Sequence, residues 1–177
     1  MIDPAHIQLM ARYSGWMNGK LYTACAQLSD EKRREDLGAF FGSIHVTLNH
    51  ILHGDRMFLS RFEGKDETFA PLGTDLYPDF EALRRERRST DEHVQAWAKH
   101  VEPTWLEQTL TYTSMSDGKT RTVPHWVLVT HMFNHGTHHR GQITTLLSQL
   151  GVDVGQTDIP FMPMFSHEGE AGATDEA

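Results

Sequence analysis

The chain has 177 residues, 38% of them hydrophobic and 23% charged, with a formal net charge of −8; this suits one soluble domain with a single buried core and excludes a disordered chain. No run approaches the roughly 20 apolar residues of a membrane span, and an acidic chain with no basic cluster beyond "RRERR" is a poor partner for a phosphate backbone. Neither membrane nor nucleic acid is expected as a partner, and the single cysteine, Cys25, excludes an internal disulfide and a cysteine-rich zinc site, leaving nitrogen and oxygen as donors for any metal.

In chain order, "MIDPAHIQLMARY" carries an acid and a proline where a secretory leader needs a basic region and then an apolar stretch, so a cytoplasmic location is expected. Leu9, Tyr13, Trp16, Met17, Leu21 and Ala24 fall at helical spacing and predict a helix from about Pro4 to Leu28, with Pro4 suited to its first turn. "LSDEKRRED" reads as a charged connector. A second helix is expected over Leu37 to Phe62, with Ile44, Leu48, Ile51, Leu52, Phe58 and Phe62 on one broad face together with Phe41 and Leu59. Glycine and proline in "GKDETFAPLGTDLYPD" end that pattern. A polar third helix over Phe80 to Val101 offers Leu83, Val94 and Trp97 inward and is expected to pack on one side only. "EQTLTYTSMSDGKTRTV" alternates around Asp117 and Gly118, the signature of a hairpin, and a fourth helix follows from Pro124 to Leu150, closed by Gly151. Residues 1–165 are expected to form one domain and residues 166–177, small and acidic, a flexible tail.

The fourth helix contains "HMFNHGTHHRGQ", which holds four of the chain's 12 histidines. Its internal position, with apolar residues at core spacing on both sides, excludes a purification tag. At about 100° per residue, Leu128, Met132, His135, His139, Gln142, Ile143, Leu146 and Leu150 share one stripe. Two histidines four apart on a helix project side by side and can bind one metal; the alternative is a pair of hydrogen-bonded core imidazoles, each of which would need a partner. His131 lies at the edge of the stripe and His138 off it, so both read as solvated or supporting residues. Gly136 and Gly141 are poor helix formers, and Gly136 suggests close approach of a neighbouring helix. A second apolar face, Trp126, Val129, Phe133 and Leu147, is either further core or an interface between copies.

A catalytic site needs a third ligand, and "SIHVTLNHILHGDRMF" on the second helix offers it. His50 shares a face with Ser43, Val46, Thr47, Gly54 and Met57, a surface suited to lining a cavity, whereas His45 falls on the polar side. By geometry alone His50 leads, with His53 as runner-up and the choice nearly even. Asp55 falls among Ile44, Leu48, Ile51 and Phe62, where a carboxylate needs a partner: an arginine, the Trp16 N–H, a histidine, or a salt bridge at the helix flank.

The segments "ARYSGWMNGKLY", "GSIHVTLNHILHGDRMFLSRF", "HMFNHGTHHRGQITTLLSQLG" and "GQTDIPFM" together resemble the DinB/YfiT-like metalloprotein family, in the family's order and over nearly the whole chain. The resemblance implies an all-α four-helix bundle of up-down-down-up topology with a short β-hairpin before the last helix, commonly a homodimer. It also implies one divalent metal ion held by three histidines, which carry over to His50, His135 and His139. His53, His131 and His138 exceed the family's minimum pattern and join Gln142 and Asp55 as candidates for supporting or proton-transfer roles. Three neutral imidazoles leave positions open for water or substrate, and nickel, zinc, iron and manganese all suit such donors. The related activity is S-transfer or isomerisation of a small-molecule substrate with a low-molecular-weight thiol such as glutathione, bacillithiol or mycothiol; Cys25 reads as a core residue and is not needed as nucleophile. The alternatives are a metal-dependent hydrolase, with His53 or His131 as general base, and a non-enzymatic metal-binding dimer in stress response or sensing.

Overall fold

The structure, a computed structural model, describes residues 2–65 and 67–165; the expected flexible tail, residues 166–177, lies outside the described residues. Asp3 accepts a hydrogen bond from the His6 amide at 2.7 Å and, with Pro4 in the first turn, starts α1 (Pro4–Cys25). The charged connector contains a short helix, α2 (Asp30–Arg34), with acids in its first turn and bases in its last, the order that the helix dipole favours. The next long helix, α3 (Ile44–Phe62), begins later than the apolar pattern predicts. Gly42 takes a positive φ of 75° and Ser43 caps the Val46 amide, so residues 37–43 form a tight turn, closed by Leu37 N–H donating to the Gly42 carbonyl at 2.9 Å. Phe41 is therefore a loop residue, and the apolar run at this point encodes a lid over the helix and not an extension of it.

After α4 (Phe80–Ala98), capped by Asp79, comes a one-turn helix α5 (Pro103–Glu107) that periodicity did not reveal. The hairpin forms as expected: β1 (Thr109–Thr113) pairs antiparallel with β2 (Thr120–Pro124), placing Tyr112 opposite Arg121, and Gly118 turns the chain at φ 66°. The last helix, α6 (His125–Gln149), stops at Gly151, whose φ is 75°. Two 3-10 turns, Ile159–Phe161 and Pro163–Phe165, follow. Among the described residues no helix is long and apolar enough to cross a membrane.

The directions of the four long helices follow from which of their ends share a core. Ile7 and Ala11 cluster with Leu128 and Met132, and with Phe58, Phe62, Val94 and Ala98. Leu21 and Cys25 cluster with Ile143 and Leu147, and with Ile44, Leu48, Phe80 and Leu83. Thus α1 and α6 run together while α3 and α4 run against them. This is the expected up-down-down-up bundle, and it explains the long connection between α3 and α4, which must return along the bundle. Helix α1 packs on α4 and α6, and α3 on α6 and α4. Val129, Phe133 and Leu147 are buried within the chain, so that face of α6 serves the core.

Polar residues from three helices lie buried in the bundle. Asn18 of α1 donates to Asp91 at 2.8 Å, and Arg87 of α4 bridges Asp55 at 2.7 Å and Asp91 at 2.8 Å. The partner of Asp55 is therefore a buried arginine. The inward face of α1 is also broader than its apolar stripe: Leu9, Tyr13 and Trp16 are only half-buried, whereas Ser14, Asn18 and Tyr22 are buried. A helix flanked on two sides buries a wider arc than hydropathy alone marks.

Candidate metal centre

Helices α3 and α6 lie side by side, and their imidazoles meet part-way along. His50 from α3 and His135 and His139 from α6 bring one ring nitrogen each into a group within 4.8 Å of one another. The Nε2 atoms of His50 and His135 are 2.8 Å apart. Gly54 makes this approach possible: a Cβ there would lie 3.0 Å from His135 Cε1 and 3.3 Å from its Nδ1. The glycine costs helix propensity and admits the imidazole. Gly136 has a different reason from the one expected of it. A Cβ there would meet Arg140 Nη1 at 2.9 Å, so the glycine accommodates a guanidinium of its own helix and not a neighbouring helix.

His50 and His139 are buried and His135 half-buried. Burial, with repulsion from His139 and then His53, lowers the His50 pKa to about 4; burial and the neighbouring histidines, His139 first, lower that of His135 to about 3. Burial pushes His139 down as well, opposed by its hydrogen bond to Gln142. All three are neutral imidazoles at pH 7, the form that ligates. The Nδ1 atoms of His50 and His135 are buried without a hydrogen-bond partner among the described residues. The convergence of one ring nitrogen from each histidine fits a cation better than a satisfied core cluster: among the described residues no carboxylate balances them, and three nitrogen donors suit a borderline divalent ion.

Gln142 Oε1 accepts from His139 Nδ1 at 2.8 Å, and its amide nitrogen lies 3.3 Å from His138 Nε2. This leaves His139 Nε2 as the nitrogen free to ligate. The Phe41 ring lies 4.0 Å from that of His50 and 5.5 Å from that of His139, covering one side of the triad. The other expected residues are dispersed. His53 is buried 5.8 Å from the Phe69 ring, with neither ring nitrogen partnered among the described residues, and stands outside the triad. His131 lies 5.8 Å from His135, ring to ring, and 5.2 Å from Phe58. His138 is exposed beside His139. Asp55 is committed to Arg87. His45, assigned to the polar side, is fully buried, because the α3–α4 connection covers it with Asp75 at 3.1 Å and the Tyr77 carbonyl at 3.0 Å.

Beside the triad opens a cavity of about 370 Å³. His50, His135 and His131 form one wall; Met57, Phe58 and Arg61 of α3 form another; Tyr112, Met115 and Arg121 of the hairpin close it. Among the described residues, no aspartate or glutamate lines it. The contributions of Phe41, Arg61 and the hairpin carry no local motif and were missed in the sequence. A larger cleft of about 730 Å³ between α1 and α4 contains no histidine among the described residues.

The sequence profile of the DinB family matches residues 1–170. This chain belongs to the DinB family. It is 28% identical to Protein DinB of Bacillus subtilis (strain 168) over 151 residues, which is 82% of this chain and 87% of that protein. In fold, this DinB family member resembles the crystal structure of a DinB-like protein from Bacillus cereus ATCC 10987, with a TM-score of 0.59 over 80% of this chain and 90% of that one, at 19% identity.

Proposed function

We propose that this DinB family member is a metal-dependent S-transferase in which His50, His135 and His139 hold one divalent ion and a low-molecular-weight thiol is the nucleophile. The observation that carries the reading is the asymmetry of the triad: Phe41 covers one side, while His50 and His135 open on another side to the cavity. Three nitrogen ligands facing a cavity leave a position for a substrate atom, the pattern of an open site and not of a saturated structural one. A divalent ion bound there would lower the pKa of a thiol in contact with it.

The chain's own residues supply the rest. Gln142 holds the His139 ring in its ligating orientation. Cys25 is fully buried and its thiol is pushed up to about 12 by burial, so the nucleophilic sulfur comes from outside. In the transfer the thiol gives its proton to solvent, its sulfur bonds to an electrophilic carbon, and the leaving group departs with the bonding pair and takes up a proton from solvent. Among the described residues no carboxylate lines the cavity, so hydrolysis there would rest on His131 as its general base.

The test is elemental analysis of untagged protein and of His50→Ala, His139→Ala and His53→Ala, followed by thiol-consumption assays with a small electrophile. The expected result is about one ion per chain, lost with His50→Ala and His139→Ala and kept with His53→Ala, and thiol transfer that disappears with the ion. Turnover that proceeds without any thiol would replace the reading with a hydrolase. An ion that binds without any turnover would replace it with a non-enzymatic metal protein.

A further inference from the structure

Among the described residues, the cavity beside the triad contains a cation without a counter-charge. Arg61, in the last turn of α3, is half-buried. Its guanidinium lies 5.6 Å over the Phe58 ring and 4.8 Å over the Tyr112 ring, and it donates to the Thr113 carbonyl at 3.3 Å. Burial acts against its charge, opposed by Tyr112. Arg121, across the hairpin, differs: both of its terminal nitrogens are occupied by Asp117, at 2.9 and 2.6 Å. A partly desolvated guanidinium is costly unless something balances it, and its planar fork matches a carboxylate. Around it stand the apolar or aromatic Met57, Phe58, Tyr112 and Met115 together with Ser114 and Ser116, and among the described residues no acid lines the cavity.

We propose that this cavity takes a small organic anion, with its carboxylate on Arg61, its apolar body against Phe58, Met57 and Met115, and its reacting end toward the histidine triad. The last clause rests on the metal-site reading, whereas the anion-binding half does not. The scale supports a small ligand. Arg61 and His50 stand roughly 16 Å apart along the axis of α3, at 1.5 Å per residue, and the Arg61 side chain folds back over Phe58 toward the triad. The remaining gap suits one small molecule and not a polymer.

Calorimetric titration with 3-phenylpropionate and its neutral isostere 3-phenylpropanamide tests this, on both metal-free and zinc-loaded protein. The anion is expected to bind at least tenfold more tightly than the amide in both forms. Arg61→Gln should erase that preference and Arg61→Lys retain part of it. Arg61→Met, which keeps the aliphatic stem against Phe58, gives the same readout should Arg61→Gln fail to fold as judged by circular dichroism. Equal binding of the two probes overturns the proposal. So does a preference that survives loss of Arg61, or one confined to zinc-loaded protein, since the carboxylate would then sit on the metal. A preference that holds in a protein that elemental analysis shows to bind no metal supports the anion site and removes only the metal reading.

Discussion

The side-chain oxygen of Gln142 lies 2.8 Å from Nδ1 of His139. One turn of helix thus sets which nitrogen of the imidazole carries the proton and which is free to ligate. Gln142→Ala is expected to weaken metal binding by about 10- to 100-fold while leaving the melting temperature of the metal-free protein nearly unchanged. Competition against a chromogenic chelator measures the first and a thermal melt the second.

Gly54 tests the packing of the triad. A methyl group at this position would press on His135 at 3.0 Å, although alanine gains about 1 kcal/mol of helix propensity over glycine. Gly54→Ala is expected to lower metal affinity at least tenfold with no comparable loss of stability in the metal-free protein. Unchanged affinity would mean that His135 does not need its observed place to ligate.

Arg87 tests the buried charge network. It is 3% exposed and neutralises Asp55 and Asp91. Arg87→Ala leaves the buried Asp55 carboxylate, and the half-buried Asp91 beside it, without their cation and should cost about 3–5 kcal/mol in urea unfolding. The stoichiometry of metal binding in the folded fraction should stay the same, because Asp55 belongs to this network and not to the triad.

The triad also predicts a pH dependence of the metal-free protein. His50 and His135 have pKa values lowered by burial to about 4 and about 3, against about 6.5 in an unfolded chain. As pH falls below about 6.5, the unfolded chain takes up protons that the folded state refuses, so stability is lost between there and about pH 4; above pH 7 these groups contribute no slope. The urea midpoint of metal-free protein should therefore fall from pH 7.5 to pH 5, and His135→Ala should flatten that fall. An equally steep fall in the variant would place the titrating groups elsewhere.

Local features were legible in the sequence because they depend on neighbours in the chain. The pairing of His135 with His139 needs only helical periodicity, and Asp117 with Gly118 needs only turn chemistry, so both appear in the structure as expected. Asp55 was recognisable as a carboxylate in need of a partner, yet its choice of Arg87 depends on a helix 32 positions away.

What the sequence by itself determined, then, is the set of long helices, the hairpin, the paired histidines of α6 and, through the family resemblance, the expectation of His50. Only tertiary structure decided that His50 and not His53 faces that pair: the two sit a small rotation apart on α3, and the choice is made by how α3 seats on α6, with Gly54 against His135. The same packing brought Phe41, Arg61 and the hairpin around the triad. These residues come from separate parts of the chain, so no periodicity links them, and side-chain contact across the bundle alone makes them one site.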